Sequence, residues 1–455
     1  MSKTLLAIDI GSINITAVIA KHDLDNKINI LGTGVEPSEG INKGLITNIE
    51  VASKSIKNAV SNAKRSTSET IGQTVVSISG SYTKGVRSAG SVNVPNGLIT
   101  EHEINQVMQM ALYNATIVPE YEVVHVVPLF FKVDESNHIE NPLNMNGARL
   151  EVSVYIVTAK KTALTNIQSA LKASNLEVTN FVLDSYASAI SVLDTQQKRF
   201  GSIVINIGGT TTDFICYKGS SIVYNDFIPV GSNHITNDLS VMLHTPPTAA
   251  EMLKIKYGNL LVHEANNLEI KKVKIPRIGD EQNTLEVAIS DVQTIIHARV
   301  EEVLVLVKNI IKKSGISDRT GAGIVVTGGM SNLTGMKELA AKVFEGMPVQ
   351  VSNPLNIKNG YINFDDSTMS TIVGLLLYSL ELNRTFELDS NKELRKKVIQ
   401  EPKEQTQEAQ THEDVQSFSR DEKIVVKEDE ELLPKISKKD KKGVSKFWNK
   451  VSEWF

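Results

Sequence analysis

The chain has 455 residues, 41% of them hydrophobic and 22% charged, and its 48 basic and 52 acidic side chains leave a formal net charge of -4. That is enough apolar material for two to four globular units, and it lacks the basic excess of a general nucleic-acid binder. The one cysteine, Cys216, has no partner for an intramolecular disulfide, and the nine histidines lack thiolate companions, which argues against a zinc cluster and fits a reducing compartment.

The N-terminal MSKTLLAIDIGS has no basic n-region and no small-residue cleavage site, so a signal peptide is not expected. LLAIDIGSINITAVIA (5–20) reads as strand, tight turn, strand, with Asp9 ending the first strand and Gly11, Ser12 and Asn14 in the turn. Such a hairpin can turn backbone N–H groups toward phosphate oxygens, and Asp9 would sit where a hydrated Mg2+ bridges them. No Walker-type lysine follows and no helix opens here, so this is not a P-loop. VASKSIKNAVSNAKRS then has helical periodicity.

From about 83 to 159 the pattern is that of a small α+β module. It comprises strand-like AGSVNV, a helix in TEHEINQVMQMALYNAT with Thr100 as N-cap and Glu103 at the capping-box position, and the strands VVHVVPLFFKVD and RLEVSVYIVT. His125, flanked by valines, reads as a packed strand histidine without chemistry. TALTNIQSALKASN is helical.

FGSIVINIGGTTTDFICYKG (200–219) repeats the first hairpin's shape: Gly208 and Gly209 break an apolar strand, and Thr210, Thr211 and Thr212 supply hydroxyls before Asp213. Two matched hairpins suggest two similar α/β lobes clamping a nucleotide. After the long helical VQTIIHARVEEVLVLVKNIIKK, a third glycine stretch, GAGIVVTGGMSNLTGMKELAAKVF, ends a strand in Gly328 and Gly329, followed by Met330, with Gly335 leading into a helix; there an adenosine can lie close to backbone. TIVGLLLYSL (371–380) is far shorter than the roughly 20 residues that span a bilayer, so any membrane contact is expected to be peripheral.

Beyond Thr385 the composition turns to Glu, Gln, Lys and Ser, and 386–442 is expected to be a disordered linker. Its end, KISKKDKKGVSK, is dense in lysine and runs into GVSKFWNKVSEWF (443–455), which holds both tryptophans. At 100° per residue, Val444, Phe447, Trp448, Val451, Trp454 and Phe455 share one face, with Lys446 and Lys450 on the other. That is the pattern of an interfacial helix on an anionic lipid membrane.

The order of hairpin, FVLDSYASAISVL, second hairpin, TGG strand and STMSTIVGLLLYSL resembles the five-motif signature of the superfamily uniting actin, the heat-shock ATPase chaperones and the sugar kinases. Within it, INKGLITNIE, VVSISGSY, HVVPLFFKVD, IENPLNMNGARLEV and TPPTAAEMLKIKYG resemble the FtsA family of bacterial cell-division proteins, over nearly the whole folded part. The terminal amphipathic stretch is also a feature of that family. The resemblance implies an actin-like two-lobed α/β fold that binds ATP and Mg2+, with a small inserted subdomain in the first lobe.

By position, Asp9, Gly11 and Ser12 match the first phosphate motif, Gly208, Gly209 and Thr211 the second, and Gly328 and Gly329 the adenosine motif. Asp184 matches an acidic residue that helps place a water near the γ-phosphate. Glu251 and Lys254 match residues flanking the adenosine ring, although the residues alone equally give an i, i+3 surface ion pair. Two departures stand out: Asn206 replaces the aspartate that opens the second motif, and Thr210 replaces its third glycine. Asparagine brings no charge to balance Mg2+, so hydrolysis is expected to suffer more than binding.

The expected organisation is a first lobe of 1–82, 160–198 and 361–385, an insert of 83–159, a second-lobe core of 199–232 and 311–360, and an upper subdomain of 233–310. The resemblance implies polymerisation into filaments at the cytoplasmic face of the inner membrane at the division site, and tethering of the tubulin-like protein FtsZ, whose C-terminal tail would dock on the upper subdomain. It also implies recruitment of later divisome membrane proteins. A pilus-associated actin-like adaptor and a small-molecule kinase of the same superfamily are the alternatives.

Overall fold

The computed structural model describes residues 4–22, 28–219, 221–261, 271–316, 320–354, 364–379 and 386–396. The remainder of the expected linker and the whole 443–455 stretch lie outside the described residues. Two five-stranded sheets share one strand order. In the first, Ile28–Pro37, Asn14–His22 and Thr4–Ile10 form an antiparallel meander, and Gln73–Ile78 and Asn180–Leu183 add on in parallel. In the second, Ser221–Ile228, Thr212–Lys218 and Ser202–Ile207 form the meander, continued in parallel by Gly323–Thr327 and Val349–Val351. The central strands of both are continuous apolar runs because both faces of each sheet are covered: Leu5, Leu6, Ala7 and Ile8 are all buried, as are Ile203, Val204 and Ile205.

Two helices lie between the sheets, Asp184–Val192 and Ser370–Ser379. Both are buried on nearly every side, and the Ser188 and Ser191 hydroxyls of the first are satisfied by Thr371 and by the Ser188 and Ser370 carbonyls. Their core joins Leu5, Ala7 and Val18 of the first sheet to Val204, Ile215 and Val325 of the second. The helices cross so closely that a Cβ on Gly374 would meet the Ala187 carbonyl oxygen at 1.8 Å.

The segment between Gln73–Ile78 and the helix Lys161–Lys172 builds a third sheet from Thr83–Asn93, Tyr121–Val133 and Arg149–Lys160, with its own core under the helix Glu101–Tyr113. That helix starts as its sequence predicts: Thr100 caps it, and the Glu103 carboxylate accepts from the Thr100 N–H at 2.8 Å. In the second lobe the corresponding insertion carries the helices Ser232–Met242, Pro247–Tyr257 and Ile289–Ser314.

The expected linker begins too early. Phe386–Leu388 and Leu394–Lys396 form a hairpin that extends the third sheet through Leu388 and Val126, and Phe386, Glu387 and Leu388 are buried. A polar, charge-rich composition hid this because the hairpin is held by a buried polar network rather than by a long apolar run. His125 Nδ1 lies 2.7 Å from Glu387 Oε1, and the Leu183 N–H donates to His125 Nε2 at 3.1 Å, so the ring's own proton sits on Nδ1 and points at the carboxylate. The hydroxyls of Tyr186 and Tyr378 donate to the same carboxylate. His125 is thus a packed strand histidine, and it bolts the inserted sheet to the first lobe.

Candidate functional site

The two glycine hairpins face each other across the lobes. The turn after Thr4–Ile10 brings Ser12 to the second hairpin, where the Thr210 hydroxyl donates to Ser12 Oγ at 2.7 Å. Gly209 must be glycine here, since an added Cβ would lie 2.4 Å from the Ile13 side chain. Behind the second hairpin stands the helix Ser232–Met242, whose first N–H groups, from Ser232 and Asn233, donate to the Gly208 and Gly209 carbonyls at 2.9 and 2.8 Å. The helix therefore aims the positive end of its dipole at the hairpin. Gly231 allows that approach: a Cβ on it would stand 2.6 Å from the Gly208 carbonyl oxygen.

Three carboxylates surround the base of this arrangement. Asp9 Oδ1 accepts from Ser77 Oγ at 2.7 Å, and Asp213 Oδ1 accepts from the Gly80 N–H at 2.9 Å. Asp184, at the start of its helix, accepts from the Ser185 N–H. Loss of solvation raises Asp9 to about 6 against the pull of the Ser77 hydrogen bond. It raises Asp213 to about 6 as well, opposed by bonds from Thr211 and Gly80. Asp184 is raised well above the ordinary carboxylate value by loss of solvation and then by the charges of Asp213 and Asp9.

Asp213 is the member whose role the sequence reading left unassigned, although it stands seven positions after Asn206 and its Thr-Asp context is visible. Asn206 itself faces the crossing helices: its side-chain amide donates to Ser188 Oγ at 3.0 Å and to Thr371 Oγ1 at 3.3 Å.

The other expected residues divide. Gly328, with φ of +88°, is demanded by packing, since a Cβ there would stand 2.3 Å from Asn206 Oδ1. Gly329 is open apart from Thr368 Cγ2 at 3.4 Å, and the Met330 side chain is buried in the second-lobe core. Asn14 is exposed, and its carbonyl lies beneath Gly11. Lys254 is 7% exposed, so its pair with Glu251 is not the surface pair that the spacing also allowed. Its ammonium lies 2.7 Å from Glu251 Oε2 and donates to Thr236 Oγ1 at 3.1 Å, which ties its helix to Ser232–Met242.

Between the lobes is a cavity of about 420 Å³, lined by Lys43 from the first lobe and by Thr210, Asn233, His234 and Thr236 from the second. That is the size of a small-molecule site. Thr236 puts the Glu251–Lys254 pair at its edge.

The carboxylates make the protein's stability pH-dependent in a stated direction. Asp9 and Asp213 bind protons more tightly folded than unfolded, so between pH 3.8 and about 6 the folded state holds the extra protons. Their contribution is favourable at the low end of that window and is lost as pH rises through 6. The melting temperature of Asp213→Asn should therefore fall less steeply than that of the wild type from pH 4.5 to 7; parallel profiles would show that Asp213 does not titrate in this range.

Two lobes with one strand order, glycine hairpins facing a common cleft and a pair of crossing helices between them define an actin-like fold. Solved structures agree. The "PilM-PilN type IV pilus biogenesis complex" superposes with a TM-score of 0.57 at 14% identity, covering 83% of this chain and 98% of that one. "MreB5 of Spiroplasma citri bound to ADP" superposes with 0.51 at 13% identity, covering 83% and 96%.

Sequence comparison is more specific. The family model "Cell division protein FtsA" matches residues 203–374, and "SHS2 domain inserted in FTSA" matches residues 80–158. The cell division protein FtsA of Helicobacter pylori (strain J99) is 33% identical over 414 residues, covering 85% of this chain and 84% of that one. That of Pseudomonas aeruginosa is 32% identical over 380 residues, covering 83% and 90%. The chain belongs to the FtsA family of actin-like cell-division proteins.

Proposed function

We propose that this protein binds ATP with Mg2+ between its glycine hairpins, polymerises, and holds the FtsZ ring to the cytoplasmic face of the bacterial inner membrane at the division site. The observation that carries the nucleotide part is the meeting of the two hairpins at Ser12 and Thr210, with the N-terminus of Ser232–Met242 against the second and an interlobe cavity lined by Thr210 beside them. Among the described residues no three acidic or imidazole groups could hold a metal directly. The carboxylates instead fit a hydrated Mg2+, which keeps several waters and is bound by one or two carboxylates plus substrate phosphates. Asp9 and Asp213 would hold those waters, and the ion would supply charge to offset the repulsion that both exert on Asp184. Asp184 would orient the attacking water. With Asn206 turned to the crossing helices and uncharged, turnover should be slow, so the nucleotide acts as an assembly signal; steady phosphate release at about ten per second, a typical enzyme turnover, would overturn this.

The membrane part rests on the sequence of 443–455, because among the described residues no helix is long and apolar enough to cross a membrane. A helix of about 13 residues is marginal in water, so folding and insertion into the headgroup region are coupled. One tail anchors weakly, and a filament multiplies tails into avidity. The FtsZ tail would dock on the upper part of the second lobe, a reading supported by the apolar side chains exposed there, Val241, Met242, Met252, Ile255 and Ile278, each more than half accessible. The filament would also recruit later divisome membrane proteins.

Co-sedimentation with liposomes containing anionic lipid should pellet the full chain and leave a chain ending at Lys442 in the supernatant; equal pelleting of both would remove the anchor from this reading. The likeness to the pilus complex is one of fold, whereas the sequence relatives are division proteins.

A further inference from the structure

Neither phosphate hairpin nor the adenosine motif carries positive charge: DIGSINIT (9–16), NIGGTTTD (206–213) and TGGMSNLTG (327–335) contain no lysine or arginine. Asp9 and Asp213 stand on the strands that lead into and out of these hairpins, and their charges act on Asp184. A triphosphate entering the interlobe cavity needs a cation beyond Mg2+. The Lys254 ammonium is committed to Glu251, Thr236 and the Ser232 carbonyl. Lys43 is the one ammonium lining the cavity, and among the described residues it has no ion-pair or hydrogen-bond partner.

Its backbone is also out of the ordinary. Lys43 and Gly44 join the two-residue strands Ile41–Asn42 and Leu45–Ile46, with φ of +49° and +74°. This is the turn that favours asparagine, aspartate or glycine at its first central position; a lysine there costs about 1–2 kcal/mol of backbone strain. Strain of this kind is characteristic of functional sites. The turn is also firmly seated. A Cβ on Gly44 would lie 2.4 Å from Ser79 Cβ, so the hairpin rests directly on the 79–82 turn, whose Gly80 N–H clasps Asp213. The lysine is thus carried by the first lobe, on a support tied to the carboxylate cluster, and faces Thr210 and the N-terminus of Ser232–Met242 in the second.

Resting on the nucleotide reading above, we propose that Lys43 is a specificity-determining residue that reaches across the cleft to the terminal phosphate of a nucleoside triphosphate, so that the triphosphate, and not the diphosphate, draws the two lobes together. A charge-assisted contact of this kind is worth roughly 10- to 100-fold in affinity.

Calorimetric titration of the full chain with ATP and with ADP, in the presence of Mg2+, tests this. Lys43→Gln should weaken ATP about 10- to 100-fold and ADP less than about threefold, while Lys43→Arg should stay close to wild type. Lys43→Gly separates charge from shape: glycine suits the turn, so its melting temperature should match or exceed that of the wild type while its preference for ATP disappears. Equal losses for ATP and ADP, or an unchanged ATP affinity in Lys43→Gln, would overturn the proposal while leaving nucleotide binding intact. Wild-type protein that binds neither nucleotide would instead overturn the reading on which it rests.

Discussion

Gly374→Ala is expected to be among the most damaging single substitutions in this chain, although it adds one methyl group. The new Cβ would sit 1.8 Å from the Ala187 carbonyl oxygen and 2.2 Å from its carbon, in a position where both partners are backbone and neither can rotate away. The two helices would have to separate, and they are the elements on which both sheets pack. Overpacking a core in this way costs about 1–3 kcal/mol and more where backbone must move, and about 3 kcal/mol should lower the melting temperature of a folded unit of this size by roughly 4 °C. Gly329→Ala is the control, because its nearest neighbour beyond the adjacent residues is Thr368 Cγ2 at 3.4 Å. Thermal melts of the two variants should differ widely. Equal stabilities would mean that the helices do not pass each other as closely as described.

Glu387→Ala is expected to have the second large effect, in a segment that composition alone assigns to a linker. The carboxylate is 1% exposed and serves His125, Tyr186 and Tyr378 together. Removing it leaves three buried polar groups without their common acceptor, at a cost of about 3–5 kcal/mol, whereas Glu387→Gln retains an acceptor and should cost less. Around it, Asp389 accepts from the Asn180 amide at 2.9 Å, and the Arg395 guanidinium lies 3.8 Å from the centre of the Tyr378 ring. Urea denaturation should therefore show a chain ending at Thr385 to be much less stable than one ending at Ile399. Identical midpoints would restore the linker to its expected starting point.

Much of the site was legible because its signals are local. A glycine after an apolar strand and before hydroxyl residues prescribes a tight hairpin, so both phosphate hairpins and the strand leading to Gly328 are visible in the sequence as short patterns. Thr100 and Glu103 are legible for the same reason, since a capping box spans only one turn. The role of Lys43 was not legible. A lysine before a glycine reads as an ordinary surface turn until the other lobe is brought opposite it. Asp213 was seen, but without Gly80 and Asp184 beside it nothing distinguished it from a strand-end aspartate. Asn206 was legible as a departure from the motif's aspartate, but only packing shows that its amide donates to Ser188 and Thr371.

The sequence by itself determined the duplicated hairpins, the inserted α+β pattern, the amphipathic spacing of 443–455 and the family, because periodicity, turn chemistry and motif order are properties of neighbouring residues. Only the tertiary structure decided which carboxylates act on one another, which glycines are fixed by packing, and that Phe386–Leu388 belongs to the folded part. Those depend on contacts such as His125 with Glu387, separated by 262 positions, and burial there makes one hydrogen bond decisive where a local pattern carries no trace of it.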